Sequence, residues 1–530
     1  MFRREPKERI ETAEIPMVGR RSSPDGSGPE KDWQTGRSLT IFKSLVLTAL
    51  MAIILYGMLN RGLLGPERWL PVVTAILGIF FITLFITDYF ADVPRIAWML
   101  VGLLTALVAV KGLSLTWSIS PTATIEELLR SSMYLATFVL AAASLSSRRL
   151  VGPLIDGMNI VVGAVAGYGV LQKTSPVEYP SNTTDGVRVG STLEYANTVA
   201  VVLGMGIALG LGRMTGLRNP LARGLYAALI VVFGTILYFT FSRGGMLALG
   251  VGLAVLFVVS EQRLQMFANL FLISLPLAWL LSEVQGLDTF FSYTSDENLL
   301  IADGAAFTVY LVVAVVAAFV LQAAYSALVE RYELAPKARQ VLGVVVVAVI
   351  LVVSGFMGYM VLGQQLENNG LGGTFATGLE KTEKANERLT SLSSNSRSNY
   401  WKVAWEEWKE HPLTGTGAGT FYYTWLENRP GFGGVRQVHN VYLEQGTETG
   451  ILAFLALVGF AGLLAFYTVR ATWRASGERR ALLCGHTGGV FVYLVSSGLE
   501  WHWYILPSTI LFFVLAGATV KFASKAEWDA

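Results

Sequence analysis

Apolar residues return along this chain in long runs parted by short polar turns, from about position 40 almost to the C-terminus. About 20 residues rising ~1.5 Å each cover a ~30 Å hydrocarbon core, so each run predicts a spanning helix. About fourteen runs qualify (12–14): 40–59, 69–87, 95–113, 129–146, 151–172, 197–212, 224–241, 245–260, 265–281, 304–329, 340–362, 441–468, 481–498 and 504–523. The stretch 224–260 would read as one span, but "SRGG" (Ser242 to Gly245) divides it.

The pattern predicts an all-α polytopic membrane protein with one large extracytoplasmic loop. Residues 1–38 form a disordered cytoplasmic tail, 39–362 a transmembrane bundle and 363–438 the loop. Residues 439–523 return to the membrane, and 524–530 form a second cytoplasmic tail. The apolar pattern begins too late for a cleaved signal peptide. No internal repeat of the kind common in transporters is visible.

Composition agrees. The chain of 530 residues is 53% hydrophobic and 15% charged, with a mean hydropathy of +0.51. Soluble domains carry roughly a quarter charged residues. A net charge of +2 gives no footprint for nucleic acid. Cys484 is the single cysteine, falls inside a predicted span and reads as packing.

Lys and Arg orient the chain. With Met1 cytoplasmic, the short cytoplasmic loops hold about sixteen of them, Arg148, Arg149, Arg213, Arg218, Arg223, Arg470, Arg474, Arg479 and Arg480 included, against about seven opposite. The same alternation puts Trp117, Arg188, Arg243, the 363–438 loop and "EWHWY" (Glu500 to Tyr504) on the extracytoplasmic face.

The candidate chemistry gathers there. "RSNYWKVAWEEWKEHPLTGTGAGTF" (Arg397 to Phe421) opens with Arg397, Trp401, Trp405 and Trp408 on one helical face. This predicts an interfacial helix over about 397–411, tryptophans in the headgroup layer and Arg397 at its start for an anion. Pro412 ends the helix, and "GTGAG" (Gly415 to Gly419), which follows a helix rather than a strand, reads as a tight turn and not a nucleotide loop.

His439 stands at the next span. Imidazole suits proton removal near neutral pH, its unperturbed pKa being ~6.5. Asn440, Glu444 and Glu448 follow at intervals of four as a polar stripe entering the membrane. Arg243, flanked by apolar runs, defies the positive-inside trend and suits paired phosphates. Arg188, Glu194 and Asn197 meet at the outer end of another span, where Asn197 reads either as a helix cap or as a ligand contact. Thr124 reads as an N-cap boxed with Glu127, and Glu500 and His502 as interface anchors. No paired-histidine spacing or outer Asp-x-Asp predicts a metal, and no cofactor is implied.

"FSRGG", "RSNYWKVAWEEWKEHPLTGTGAGTF" and "HNVYLEQGTETGILAFL", in this order, resemble the O-antigen ligase and polymerase superfamily of bacterial envelope glycosyltransferases. "LTWSISPTATIEELLRSSMYLATF" and "GSTLEYANTVAVVLG" add to the likeness, which covers roughly 110–520 and is strongest over 397–457. The resemblance implies a C-type glycosyltransferase in the bacterial inner membrane, working on its extracytoplasmic side. It would pass a glycan from an undecaprenyl-diphosphate donor to an acceptor hydroxyl on a glycan, lipid or protein, inverting and without metal. It implies Arg243 and Arg397 on the diphosphate, His439 as general base, and Arg188 and Asn197 lining the donor site. Asn440 and Glu448, from the polar stripe, complete the expected substrate contacts. Where the family often carries an acidic residue with aromatics, this chain has Glu500, to which no role is given. Two rivals are a lipid-linked oligosaccharide flippase, which needs charges along a central cavity, and a non-enzymatic assembly partner, which would tolerate loss of His439.

Overall fold

The computed structural model describes residues 29–329, 385–389, 397–431 and 433–524, with isolated positions between 337 and 348. The span expected at 340–362, most of 363–396 and the tail 525–530 lie outside the described residues. The chain divides into two compact units, Met1–Phe42 and Lys43–Ala530. Every contact below lies within the second.

No strand occurs among the described residues. The helices are α1 (Pro29–Leu59), α2 (Pro66–Thr83), α3 (Arg95–Leu113), α4 (Pro121–Ser144), α5 (Val151–Thr174), α6 (Ala196–Gly216), α7 (Pro220–Phe239), α8 (Arg243–Val259), α9 (Arg263–Val284), α10 (Glu297–Val329), α11 (Arg397–Glu410), α12 (Phe421–Asn428), α13 (Val441–Arg474), α14 (Gly477–Ser497) and α15 (Leu506–Ser524). Among the described residues, 10 helices are long and apolar enough to cross a membrane. The chain is a multi-pass membrane protein.

Three more predicted spans coincide with α4, α8 and α14, which are not among those ten. α8 has only 17 residues. α4 and α14 are buried along most of their length and carry Ser131, Thr137, Ser144, Thr487 and Ser496 inside. A helix wrapped by other helices has little lipid to face, so its hydropathy can fall. Glycine sets how closely α14 approaches its neighbours. A Cβ on Gly212 of α6 would lie 2.5 Å from Gly485 Cα, and one on Gly252 of α8 would lie 2.8 Å from Gly488 O. By contrast, only 28% of the most apolar stretch of α10 is buried, against 94% in α15.

Two sequence expectations are corrected. Residues 29–38 belong to α1 and are helical, not part of a disordered tail. The run 441–468 is not one continuous span: Gly450 takes φ 74° and ψ −172°, which breaks α13. That conformation is open only to glycine without strain. A Cβ at Gly450 would collide with Leu413 O. Ile451 N–H instead donates to Pro412 O at 3.0 Å, so the chain leaving α11 plugs the break. The polar segment 441–449 is therefore a short helix set before the span, with its backbone groups rejoined from outside.

Candidate active site

Glu500 lies in the turn between α14 and α15 and is 1% exposed. The turn is held by its own backbone, with Leu499 N–H to Ser496 O at 2.9 Å and Tyr504 N–H to Trp501 O at 3.1 Å. The buried carboxylate meets three distant parts of the chain. Arg397, first residue of α11, forms an ion pair with Oε1. His439 Nδ1 stands 3.5 Å from Oε2. Tyr195 OH donates to Oε2 at 2.6 Å. Burial alone would raise the Glu500 pKa, but Arg397 and His439 outweigh it and hold the carboxyl at about 2. The same burial and the facing carboxylate push the Tyr195 hydroxyl up, so it keeps the proton it donates.

Tyr195 continues the network. Its oxygen accepts from Asn197 Nδ2 at 2.9 Å, and Asn197 Oδ1 accepts from the Arg188 guanidinium at 2.6 Å. Arg188 Nε donates to Thr240 O at 2.6 Å, which ties the α5–α6 loop to the end of α7. Arg243 starts α8 just beyond that junction, with Ser242 capping the helix through Gly245 N–H. A Cβ on the next residue, Gly244, would lie 3.9 Å from Glu500 Oε1, so the backbone beside Arg243 borders the same carboxylate. Asn197 is not a cap: the N-cap position of α6 is Tyr195, and Asn197 spends its amide on the network.

His439 has φ +59°, a left-handed backbone in a residue with a Cβ. Such strain persists only where neighbours over-determine it. Here they do. Val438 N–H donates to Glu444 Oε2 at 2.7 Å, and Asn440 Oδ1 accepts from Tyr442 N and Leu443 N at 3.1 Å each. Tyr504 OH donates to the other Glu444 oxygen. One carboxylate thus ties the His439 segment to the Glu500 turn. Tyr400 and Trp501 flank the imidazole, with ring centroids at 5.5 and 6.4 Å. Among the described residues, no side chain hydrogen-bonds to His439 Nε2.

The helix expected over about 397–411 is present as α11, and its tryptophans do not share one environment. Trp408 packs on Phe454 at 4.9 Å between ring centroids and lies over Gly446. Trp401 packs with Tyr400 against Val403, Ala404, Phe421, Trp425 and Val438. Trp405 alone of the three is 50% exposed. Thr447 Oγ1 donates to Ala404 O at 2.9 Å, so α11 rests on the segment before the Gly450 break. That docking holds Arg397 over Glu500.

The glycine segment is a turn, as expected. Gly415, Gly417 and Gly419 all have positive φ. A Cβ on Gly417 would run into Ser118, so the turn fits only by lacking one. Glu448 binds it: Oε2 accepts from Gly419 N at 2.8 Å and Oε1 from Phe421 N at 3.1 Å. Both Glu448 oxygens, like the Asn440 amide oxygen, are thus occupied by backbone. These bonds make the two residues part of the scaffold around His439 and the glycine turn. Thr124 is also reassigned. The N-cap of α4 is Ser120, and Thr124 Oγ1 donates to Ala418 O at 2.8 Å. Glu127 boxes nothing; it pairs with Lys111 Nζ at 3.1 Å and with Arg130.

Sequence reading missed three things. Glu500 and His502 are buried, not interface anchors; burial lowers the His502 pKa to about 4, and its Nε2 meets Ser497 Oγ at 3.2 Å. Tyr195 gave no signal beyond its place between Glu194 and Asn197. The buried group Lys111, Glu127 and Arg130 could have been suspected from three charges close to predicted spans. Among the described residues, Glu407, Glu410 and His411 bring one possible metal-ligand atom each within 4.8 Å of one another. They sit at the far end of α11, about 20 Å along the helix from Arg397.

Residues 227–458 match the family model described as O-antigen ligase. Over that stretch the chain is similar to the O-antigen ligase family. The matched range contains Arg243, Arg397, His439, Asn440 and Glu448, whereas Arg188, Asn197 and Glu500 lie outside it. The likeness suggests a ligase or polymerase activity of glycosyltransferase kind. No curated protein matches the chain.

Proposed function

We propose that this protein transfers a glycan from an undecaprenyl-diphosphate-type donor to an acceptor hydroxyl on the extracytoplasmic face of a bacterial inner membrane. The observation that carries the reading is the meeting of Arg397, His439 and the Arg188–Asn197–Tyr195 chain at one buried carboxylate, Glu500. Glu500 facing Nδ1 favours the tautomer with the proton there, which leaves Nε2 as the base. The acceptor hydroxyl gives its proton to His439 Nε2 as its oxygen forms a bond to the anomeric carbon. The bond from that carbon to the diphosphate oxygen breaks, and the lipid diphosphate leaves with the electron pair. A single displacement of this kind inverts the anomeric centre.

Arg397 and Arg243 take up the charge on the departing diphosphate. A guanidinium has five N–H donors, so the Glu500 pair leaves Arg397 others to offer. Arg188, with Asn197 beside it, holds the donor from the opposite wall. Charge met by fixed donors in a dry site is stabilised far more than in water, so the chemistry proceeds without metal.

Reconstitution in vesicles with a lipid-diphosphate glycan and candidate acceptors, with products read by mass, tests the reading. Transfer that survives EDTA and fails in His439→Ala supports it. A protein that moves the donor across the bilayer without forming a new glycosidic bond is the flippase instead. Mass also separates ligation to an acceptor from growth of the donor glycan.

A further inference from the structure

Beside the Glu500 network lies a cavity of about 310 Å³, between the α5–α6 loop and the α9–α10 turn. Small-molecule sites begin at about this size. Its lining includes Ser181, Arg188, Thr289, Ser292, Tyr293 and Ser295. We propose that it is a saccharide subsite for the non-reacting part of a glycan; this rests on the transfer reading above.

Three observations point to a sugar. First, hydroxyl groups dominate the polar part of the wall, and among the described residues those of Ser292 and Ser295 make no hydrogen bond within the protein. Second, Tyr293 is 73% exposed, with one side of its ring against backbone. Gly186, at φ +67°, lies under that ring, and a Cβ there would come within 2.8 Å of Tyr293 Cδ2. An exposed aromatic face beside hydroxyls suits a ring with one apolar C–H face and polar edges. An acyl chain would instead meet unpaired hydroxyls.

Third, the cavity shares a wall with the transfer site. Arg188 lines it and also donates to Asn197 Oδ1 at 2.6 Å, on the chain that ends at Glu500. Arg188 is 9% exposed, so its position is fixed by the protein. Arg188 thus joins the cavity wall to the network that ends at Glu500. The α9–α10 turn is itself steadied from the large loop, Ala385 N–H donating to Phe291 O at 2.8 Å. Binding energy gathered away from the reacting centre serves to position it.

The glycan could belong to the donor or to a growing acceptor, and the experiment has an arm for each. In vesicles holding the full chain, Tyr293→Ala should raise KM about five- to tenfold, with kcat kept, and Tyr293→Trp should restore it. If the donor occupies the cavity, the effect disappears with a lipid-diphosphate donor trimmed to its first sugar. If the acceptor does, it disappears with a one-sugar acceptor. A KM unchanged in both arms overturns the subsite. Independently, glycan cleaved from the cell's own lipid carrier is titrated by NMR against the wild-type chain and Tyr293→Ala in nanodiscs. Weaker binding to the variant by a similar factor supports the subsite, and equal binding overturns it. This second readout needs no transfer, so a chain that binds the glycan but transfers nothing refutes the transfer reading alone.

Discussion

His439 and Glu500 face each other across 3.5 Å, Nδ1 to Oε2, although they sit on opposite sides of two membrane helices in the chain. The gap is slightly long for a good hydrogen bond. The imidazole is therefore oriented but not locked, as suits a group that must gain charge when it takes a proton. His439→Ala should lower transfer by about 10²- to 10⁴-fold, the usual worth of a positioned base, with expression and melting temperature near wild type. Transfer at the wild-type rate in this variant would remove His439 from the chemistry.

Glu500 holds its charge by virtue of its neighbours, and this gives a pH dependence with a definite sign. Its folded pKa, about 2, lies below the ordinary 4.5. The group therefore stabilises the fold fully above the unfolded value, and the contribution is lost as pH falls from about 4.5 through 2. The shift corresponds to about 3 kcal/mol. Thermal unfolding in detergent between pH 6 and pH 2.5 should show a steeper acid loss in wild type than in Glu500→Gln. Parallel curves would mean that the carboxylate is not held by Arg397 and His439.

Arg397 is the partner whose loss strands that buried charge. Arg397→Ala should destabilise the protein by about 3 kcal/mol and abolish transfer, because an unpaired buried carboxylate is costly. Arg397→Lys restores the charge without the planar fork. It should recover most of the stability but only part of the rate. Equal recovery of both would argue that Arg397 serves Glu500 and nothing else.

Glu444 ties Val438 N–H to the Tyr504 hydroxyl, and so the base to the turn that orients it. Glu444→Gln and Tyr504→Phe should each lower kcat about tenfold with KM little changed. The double variant should lose hardly more than either one, since both break the same link. Additive losses in a double-mutant cycle would show that the two residues act separately.

Gly450 breaks α13 in a conformation that a side chain cannot share, with Leu413 O in the way. Gly450→Ala should destabilise by more than about 2 kcal/mol and release the α11 exit from the break. Thermal stability and protease sensitivity around 411–419 read this out. An Ala variant as stable and as protected as wild type would contradict the geometry.

Much of the fold was legible because hydropathy and helical period are local. Twenty apolar residues in a row mark a spanning helix, and Arg397, Trp401, Trp405 and Trp408 mark an amphipathic one without knowing its partner. The end of α11 follows from Pro412. Among the candidate residues, a histidine before a span and arginines beside apolar runs stood out for their rarity in such places.

Sequence by itself thus determined that the chain spans a membrane many times, where most helices run, and which rare ionisable groups deserved suspicion. Tertiary structure alone decided their partners. Glu500 looks like any interfacial acid until the segments at 195, 397 and 439 arrive around it, and Glu448 looks free until backbone from 419 and 421 claims it. The reason is physical: burial and pairing are properties of groups brought together across hundreds of residues, and periodicity carries no record of which distant side chain will stand opposite.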